Sequence, residues 1–217
     1  SVRGGNEVLS SDTYDAEATN NNNGWIDSFD SDGFTVIAGA SNAAWWNLAG
    51  DDFVAWNWRA GTTFDPATAG TVVTGSGSSN ATAGFSIVNY TATGTAGTIK
   101  HGLSVAPDFM IIKHAGADGT GWIVYHGTNT VALSLQNLNA NDDNVYWNDT
   151  STTATVFSVG PDGVDTNNSG AGSTIAYVWH QVEGYSKFGS YTGNASDNGA
   201  FVFLGFKPAW VMFKCAS

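Results

Sequence analysis

The chain has 217 residues, with 7 Lys plus Arg against 19 Asp plus Glu and a formal net charge of −12. So few cations cannot neutralise a phosphate backbone, which excludes nucleic acid as a partner. A content of 13% aromatic and 42% hydrophobic residues excludes a disordered chain, and the single cysteine, Cys215, excludes an intrachain disulfide framework and a cysteine-rich zinc site.

From the start, Ser1-Val2-Arg3-Gly4-Gly5 has no apolar signal-peptide core. A run with β-strand character follows at Phe34–Val36, after the Asp32-Gly33 turn, and another at Val54-Ala55-Trp56-Asn57-Trp58. Residues 61–82, with Gly75-Ser76-Gly77-Ser78-Ser79, have the composition of a flexible or extended linker. Strands are then expected at Phe85–Tyr90, Phe109–Ile112, Trp122–Tyr125, Thr155–Val159, Thr174–Trp179 and Phe201–Leu204, where β-branched and aromatic residues alternate between Gly, Asn and Asp turns. The most apolar stretch, Phe201–Phe213, is broken by Lys207 and Pro208 and is too short to cross a bilayer, so no membrane insertion is expected. Nothing predicts a helix beyond a turn. The expected fold is all-β, an antiparallel sandwich of jelly-roll or lectin-like shape, with an inner face that includes Phe85, Ile87, Ile111, Val124, Phe157 and Tyr177.

The chain also repeats itself. Gly84–Thr91 matches Gly184–Thr192 at an offset of 100 residues, and Val105–Lys113 matches Gly205–Lys214 with an offset of 101 at the proline. A weaker echo aligns Trp25 with Trp147, Phe34 with Phe157, and Val54–Trp58 with Ile175–Trp179. The expected organisation is tandem modules of about 100 residues. Residues 1–60 are the back half of one module, 61–82 a linker, 83–183 a complete module, and 184–217 the front half of a further one. A half sandwich leaves an apolar face and strand edges open, so the two halves are expected to join as one composite sandwich, within a chain or between adjacent chains. The contact that would mark it is Phe201, Phe203 or Val211 packing on Phe34, Val54 or Trp56. The rival expectation is a window cut from a longer tandem array, and a start without Met fits an excerpt.

Several strings in combination carry a resemblance: Ser1–Gly5, Ser28-Phe29-Asp30-Ser31-Asp32-Gly33-Phe34-Thr35-Val36, Ala83–Thr91, His101–Lys113, Trp122–His126 and Val182–Asn194. Together they are similar to tandem modules in the tail-fibre proteins of marine tailed bacteriophages. The resemblance covers the chain except 61–82. It implies a virion structural role and β-sandwich modules, and it brings no catalytic or metal-binding residues with it. Incomplete end modules and many apolar aromatics gain stability when buried between copies, so a homo-oligomer is expected, and because fibres of this kind are commonly trimers the resemblance puts a trimer foremost.

The residues offer few chemical alternatives. Asp27, Asp30 and Asp32 before Gly33 are hard oxygen donors of the kind Ca²⁺ takes, but EF-hand spacing is absent, and an Asp-Gly turn between strands explains them without a metal. The acidic tip Asn139–Asn144 is expected to be a solvated loop. His101, His114, His126 and His180 have no metal-ligand spacing, and Arg59 at the position equivalent to His180 suggests a surface or rim place for it. Gly102-Leu103-Ser104-Val105-Ala106 lacks the second glycine of a nucleophile elbow. Neither a catalytic residue, a metal nor a cofactor is expected. Most tryptophans lie in strand-like runs and are expected in the core. Trp45-Trp46 differs, because adjacent residues on a strand face opposite ways and one ring points outward. Trp45, Trp46, Asn42 and Asn47 are therefore the candidate ligand site, in which a ring would stack on a sugar and an amide would bond its hydroxyls; a subunit contact is the competing use of the same ring.

The function expected is that of a non-enzymatic fibre component on the virion, exposed on the tail. Its partners would be itself, other virion proteins and a host surface glycan. The alternatives are a carbohydrate-binding or carbohydrate-active jelly-roll protein and a capsid-decorating assembly protein.

Overall fold

Of the β-branched and aromatic runs, those from Phe85 to Trp179 become strands, and two, Val54–Trp58 and Phe201–Leu204, do not. The structure, a computed structural model, describes all residues except 1, 20, 21, 41–45, 69, 72, 73, 128–130, 138, 139, 142, 143, 162, 164, 168–171, 216 and 217. Fourteen strands are present among the described residues. They are β1 (Glu7–Val8), β2 (Ala18–Thr19), β3 (Trp25–Phe29), β4 (Phe34–Ile37), β5 (Thr62–Phe64), β6 (Gly75–Asn80), β7 (Phe85–Thr91), β8 (Gly97–Lys100), β9 (Phe109–His114), β10 (Trp122–Tyr125), β11 (Ala132–Ser134), β12 (Ala140–Asn141), β13 (Val156–Val159) and β14 (Ser173–Trp179). Helical structure among the described residues amounts to two 3₁₀ turns, Pro66–Thr68 and Asn144–Trp147.

The fold is an all-β antiparallel sandwich with unequal layers. One layer is an eight-stranded sheet in the order β12-β11-β10-β9-β14-β7-β6-β5, and the other is the pair β13-β8. Hairpins β1-β2 and β3-β4 stand apart from both. Cross-strand register puts Val88, Ala176, Ile112 and Ile123 in one row across four strands, all fully or almost fully buried. Ile99 and Phe157, paired across β8 and β13, close on that row with Val159, Leu103 and Trp147. Apolar burial of this kind contributes roughly 25 cal/mol per Å² and is the main force holding the layers together.

The expected inner face is inverted for most of its members. Phe157 faces the core, but Phe85, Ile87, Ile111, Val124 and Tyr177 lie on the opposite face of the large sheet, out of register with the core row. The central strands carry apolar residues on both faces, so period two gives no sign, and a shift of one residue exchanges the faces. The layer that covers a face decides which one becomes the core, and β8-β13 covers the face of Val88 and Ile112.

The expected linker is also corrected. Within 61–82, β5 and β6 form the edge of the large sheet, β6 pairing with β7 along its length, and Gly61 N donates to Ser79 O at 3.1 Å. The sheet therefore begins at Thr62, ahead of the expected module start at 83. Glycine and serine here make room for a ring. A Cβ on Gly77 would come within 2.2 Å of Phe64, and one on Gly102 within 2.3 Å, and Phe64 packs against the core between them. Gly102 also has φ of +72°, a conformation L side chains rarely adopt.

Three of the four histidines, His101, His114 and His180, are buried. His101 is fully buried; its Nδ1 accepts from Leu103 N at 3.2 Å, so Nε2 carries the proton and donates to Thr153 O at 3.1 Å. His114 Nδ1 lies 3.3 Å from Ser173 O and 3.2 Å from Thr174 Oγ1. His180, expected at a surface or rim, is buried instead, with Nδ1 2.7 Å from Gln181 O. Burial pushes the His101 imidazole down to about 4, and it lowers His114 and His126 as well.

Gly102→Ala should lower stability by about 2–4 kcal/mol, from backbone strain plus the clash with Phe64. Ser104→Ala, at an exposed position two residues on, should change it by no more than about 0.5 kcal/mol. Urea unfolding followed by tryptophan fluorescence reads both, and equal midpoints would reject this account of Phe64. A second expectation concerns acid. Between the folded value of His101 and its ordinary value near 6.5, the unfolded chain binds more protons, so stability is complete above that ordinary value and falls with pH toward 4, by about 3 kcal/mol for His101 at most. The urea midpoint should drop between pH 7 and pH 4.5; a flat or rising midpoint would contradict it.

Candidate functional site

The face of the large sheet away from the core is covered in two different ways. One part of it is closed by polar anchors from residues 3–19. Arg3 Nη1 donates to Tyr177 OH at 3.1 Å, Nη2 to Glu7 O at 3.1 Å, and the guanidinium pairs with the Glu17 carboxylate. Burial works against the Arg3 charge, but Tyr177 and Glu17 outweigh it and hold the guanidinium protonated. Trp122 Nε1 donates to Ser10 O at 2.9 Å, and Glu17 N to Ala115 O at 2.8 Å.

Beneath this segment lies Lys113, fully buried on β9. Its Nζ donates to Thr120 O at 2.7 Å, to Thr120 Oγ1 at 3.0 Å and to Tyr14 O at 3.4 Å. Burial lowers its proton affinity, and Asp165, Asp15 and Asp118 pull it back up. The ammonium has three acceptors, one of them on Tyr14, and so ties the N-terminal segment to the sheet. Asp118 and Asp165 are engaged too, accepting from Ala16 N at 2.7 Å and Gly121 N at 2.8 Å.

The other part is aromatic, and the rings furthest from the sheet are exposed. Register places Phe85, Trp179 and Phe109 side by side on β7, β14 and β9, with ring centroids 5.2 and 5.4 Å apart. Phe188 stacks on Phe109 at 5.3 Å. Trp58 lies 6.3 Å from Phe85 and 5.9 Å from Trp179, and Trp210 continues the run, 6.3 Å from Trp58 and 6.4 Å from Trp56. Trp56 is 64% exposed and Phe201 88%, with Val54, Phe203, Val211 and Phe213 also open. The exposed run through Trp58, Trp210 and Trp56 is a candidate interaction surface. The core expected for Trp56, Trp58 and Trp210 is not where they lie; they form this surface instead. Their neighbouring backbone makes no sheet, so the core rule for strand tryptophans does not reach them.

Of the residues expected to take a sugar, Trp45 and Asn42 lie outside the described residues. Trp46 is half-buried with its Cβ and Cδ1 against Gly24, where a Cβ on the glycine would sit 3.1 Å away, and Asn47 is exposed. Asp30 closes the β3-β4 turn: its carboxylate accepts from Ser28 Oγ at 2.8 Å and Thr35 Oγ1 at 3.0 Å, and its N–H donates to Gly33 O at 2.9 Å. Among the described residues no group of three or more His, Cys, Asp or Glu is arranged to hold a metal ion. Asn139, Asp142 and Asp143 of the other acidic tip lie outside the described residues. No described helix is long and apolar enough to cross a membrane. The signal for the aromatic surface was in the repeats, which align Trp58 with Trp179 and Trp210 with Phe109, a directly paired couple on β14 and β9.

Neither a curated protein sequence nor a solved structure matches the chain. One family model does, a domain of unknown function designated DUF7483, and the match runs over residues 1–217. The chain belongs to the DUF7483 family.

Proposed function

We propose that the chain is a structural component of a bacteriophage virion, a non-enzymatic part of a tail fibre that assembles with copies of itself and with other virion proteins and presents a face to the host surface. The observation that carries the assembly part is the exposed aromatic run through Trp56, Trp58 and Trp210, continuous with the rings of the sandwich. Apolar surface of this extent is costly in water and is covered when chains associate. The fibre part rests on the sequence resemblance, and the all-β sandwich with few charges suits an extended array of modules.

An antibody raised against the chain should label the tail of virions from a phage that encodes it, seen by negative-stain electron microscopy. Absence of label from particles, with the protein present in infected cells, would reject the virion role. In solution, multi-angle light scattering should give a self-associated species, a trimer foremost; a monomer at tens of micromolar would reject self-assembly. Glycan binding lost in Trp46→Ala with the oligomer intact would move the reading to the carbohydrate-binding alternative.

A further inference from the structure

Two stretches of the chain, 54–58 and 184–217, have the sequence of sheet strands but form none of the strands named above among the described residues, an isolated bridge of Ser186 to Val182 aside. Val54–Trp58 repeats the end of β14, while Tyr185–Tyr191 and Trp210–Lys214 repeat β7 and β9. The backbone supports the second equivalence. Gly84 before β7 has φ of +66° and Gly184, at the equivalent position, has +75°. In the complete sandwich β14 lies between β7 and β9, with Trp179 opposite both Phe85 and Phe109. The equivalent positions are Trp58, Tyr185 and Trp210, and the Trp58 and Trp210 rings already meet at 6.3 Å. Even so, no backbone hydrogen bond joins the described residues of 54–58 to those of 185–214.

Within one chain both stretches are held by the complete sandwich. Trp58 packs on Phe85 and Trp179, Phe188 stacks on Phe109, and Lys214 Nζ donates to Asn137 O. Apart from Tyr185 and Ser186, which bond back to Val182, the described backbone of 54–58, 185–191 and 210–214 makes no backbone hydrogen bond, and it is a template for a strand from another molecule. Charge favours the exchange as well: residues 184–217 hold three lysines and one aspartate, whereas residues 1–60 hold two arginines and nine carboxylates.

We infer that two copies of this chain add strand to strand, so that Val54–Trp58 of one copy lies between Tyr185–Tyr191 and Trp210–Lys214 of another, in the register of β14 between β7 and β9. The occupant of each open edge is the complementary half of a second copy. Passed from copy to copy, this heterologous contact closes a ring or extends a filament. The inference rests on the self-assembly proposed above and names its interface.

Register supplies the test. Val178 lies opposite Met110, so Asn57 of one copy should lie opposite Val211 of another. Both positions are exposed, so substitution there leaves the core intact. In a Cys215→Ser background, differently tagged Asn57→Cys and Val211→Cys chains are mixed and oxidised. The expected product is a covalent dimer carrying both tags, formed at least tenfold faster than with Phe213→Cys, two residues out of register. Several results would overturn the pairing: no mixed dimer, equal rates in and out of register, or a monomer closed on itself when one chain carries both Asn57→Cys and Val211→Cys. Hydrogen exchange on the unmodified chain is a second measurement. Amides of 54–58 and 210–214 should slow at least tenfold as concentration rises through the association range, and concentration-independent exchange would also overturn it. If virions are labelled but no cross-link forms, the pairing fails and the virion role stands. Cross-linking without labelled virions upholds the pairing and rejects the virion role.

Discussion

β14 is the strand on which the molecule depends. It bonds to β7 along one edge and to β9 along the other, joining residues that are far apart in sequence. Through β7 it carries β6 and β5, and through β9 it carries β10, β11 and β12. Its own side chains divide the molecule: Ala176 and Val178 face the core, while Tyr177 and Trp179 face the other side. Tyr177 receives Arg3, and Trp179 receives Trp58, so the polar closure and the aromatic surface both start from neighbouring residues of one strand.

That arrangement explains why the fold class was legible in the sequence and the inner face was not. Strand positions follow from local composition: Phe109–Ile112 and Trp122–Tyr125 have few polar residues to suit any other element. Facing follows from what covers each side, which is a long-range property. Ile111 and Ile112 are chemically the same, and only β8-β13 distinguishes them. The misread linker has the same origin. Gly75–Asn80 has no β-forming side chain, and it is a strand because β7 offers an edge and Phe64 requires the space above Gly77.

The aromatic surface was half legible. The repeats align Trp58 with Trp179 and Trp210 with Phe109, and the rings are found together, though composition alone assigns them to a core. Lys113 was not legible at all. A lysine after Ile111-Ile112 suggests the exposed end of a strand, yet it is buried beneath a segment about a hundred residues earlier, whose Tyr14 carbonyl accepts one of its protons. Trp46 is half-buried against Gly24, while Asn47 beside it is exposed.

The two treatments of one sheet face differ in a physically informative way. Where the face is closed by the chain itself, the closure is polar and specific: Arg3 on Tyr177, Lys113 on Thr120, Trp122 on Ser10. Each such bond contributes about 0.5–3 kcal/mol and fixes one geometry. Where the face is open, the side chains are rings with few polar atoms, able to pack against another ring surface with little loss of side-chain entropy. A chain of net charge −12 repels its copies, so a contact between them needs either apolar area or a local reversal of sign. Residues 184–217, with three of the five lysines, supply both at the same place.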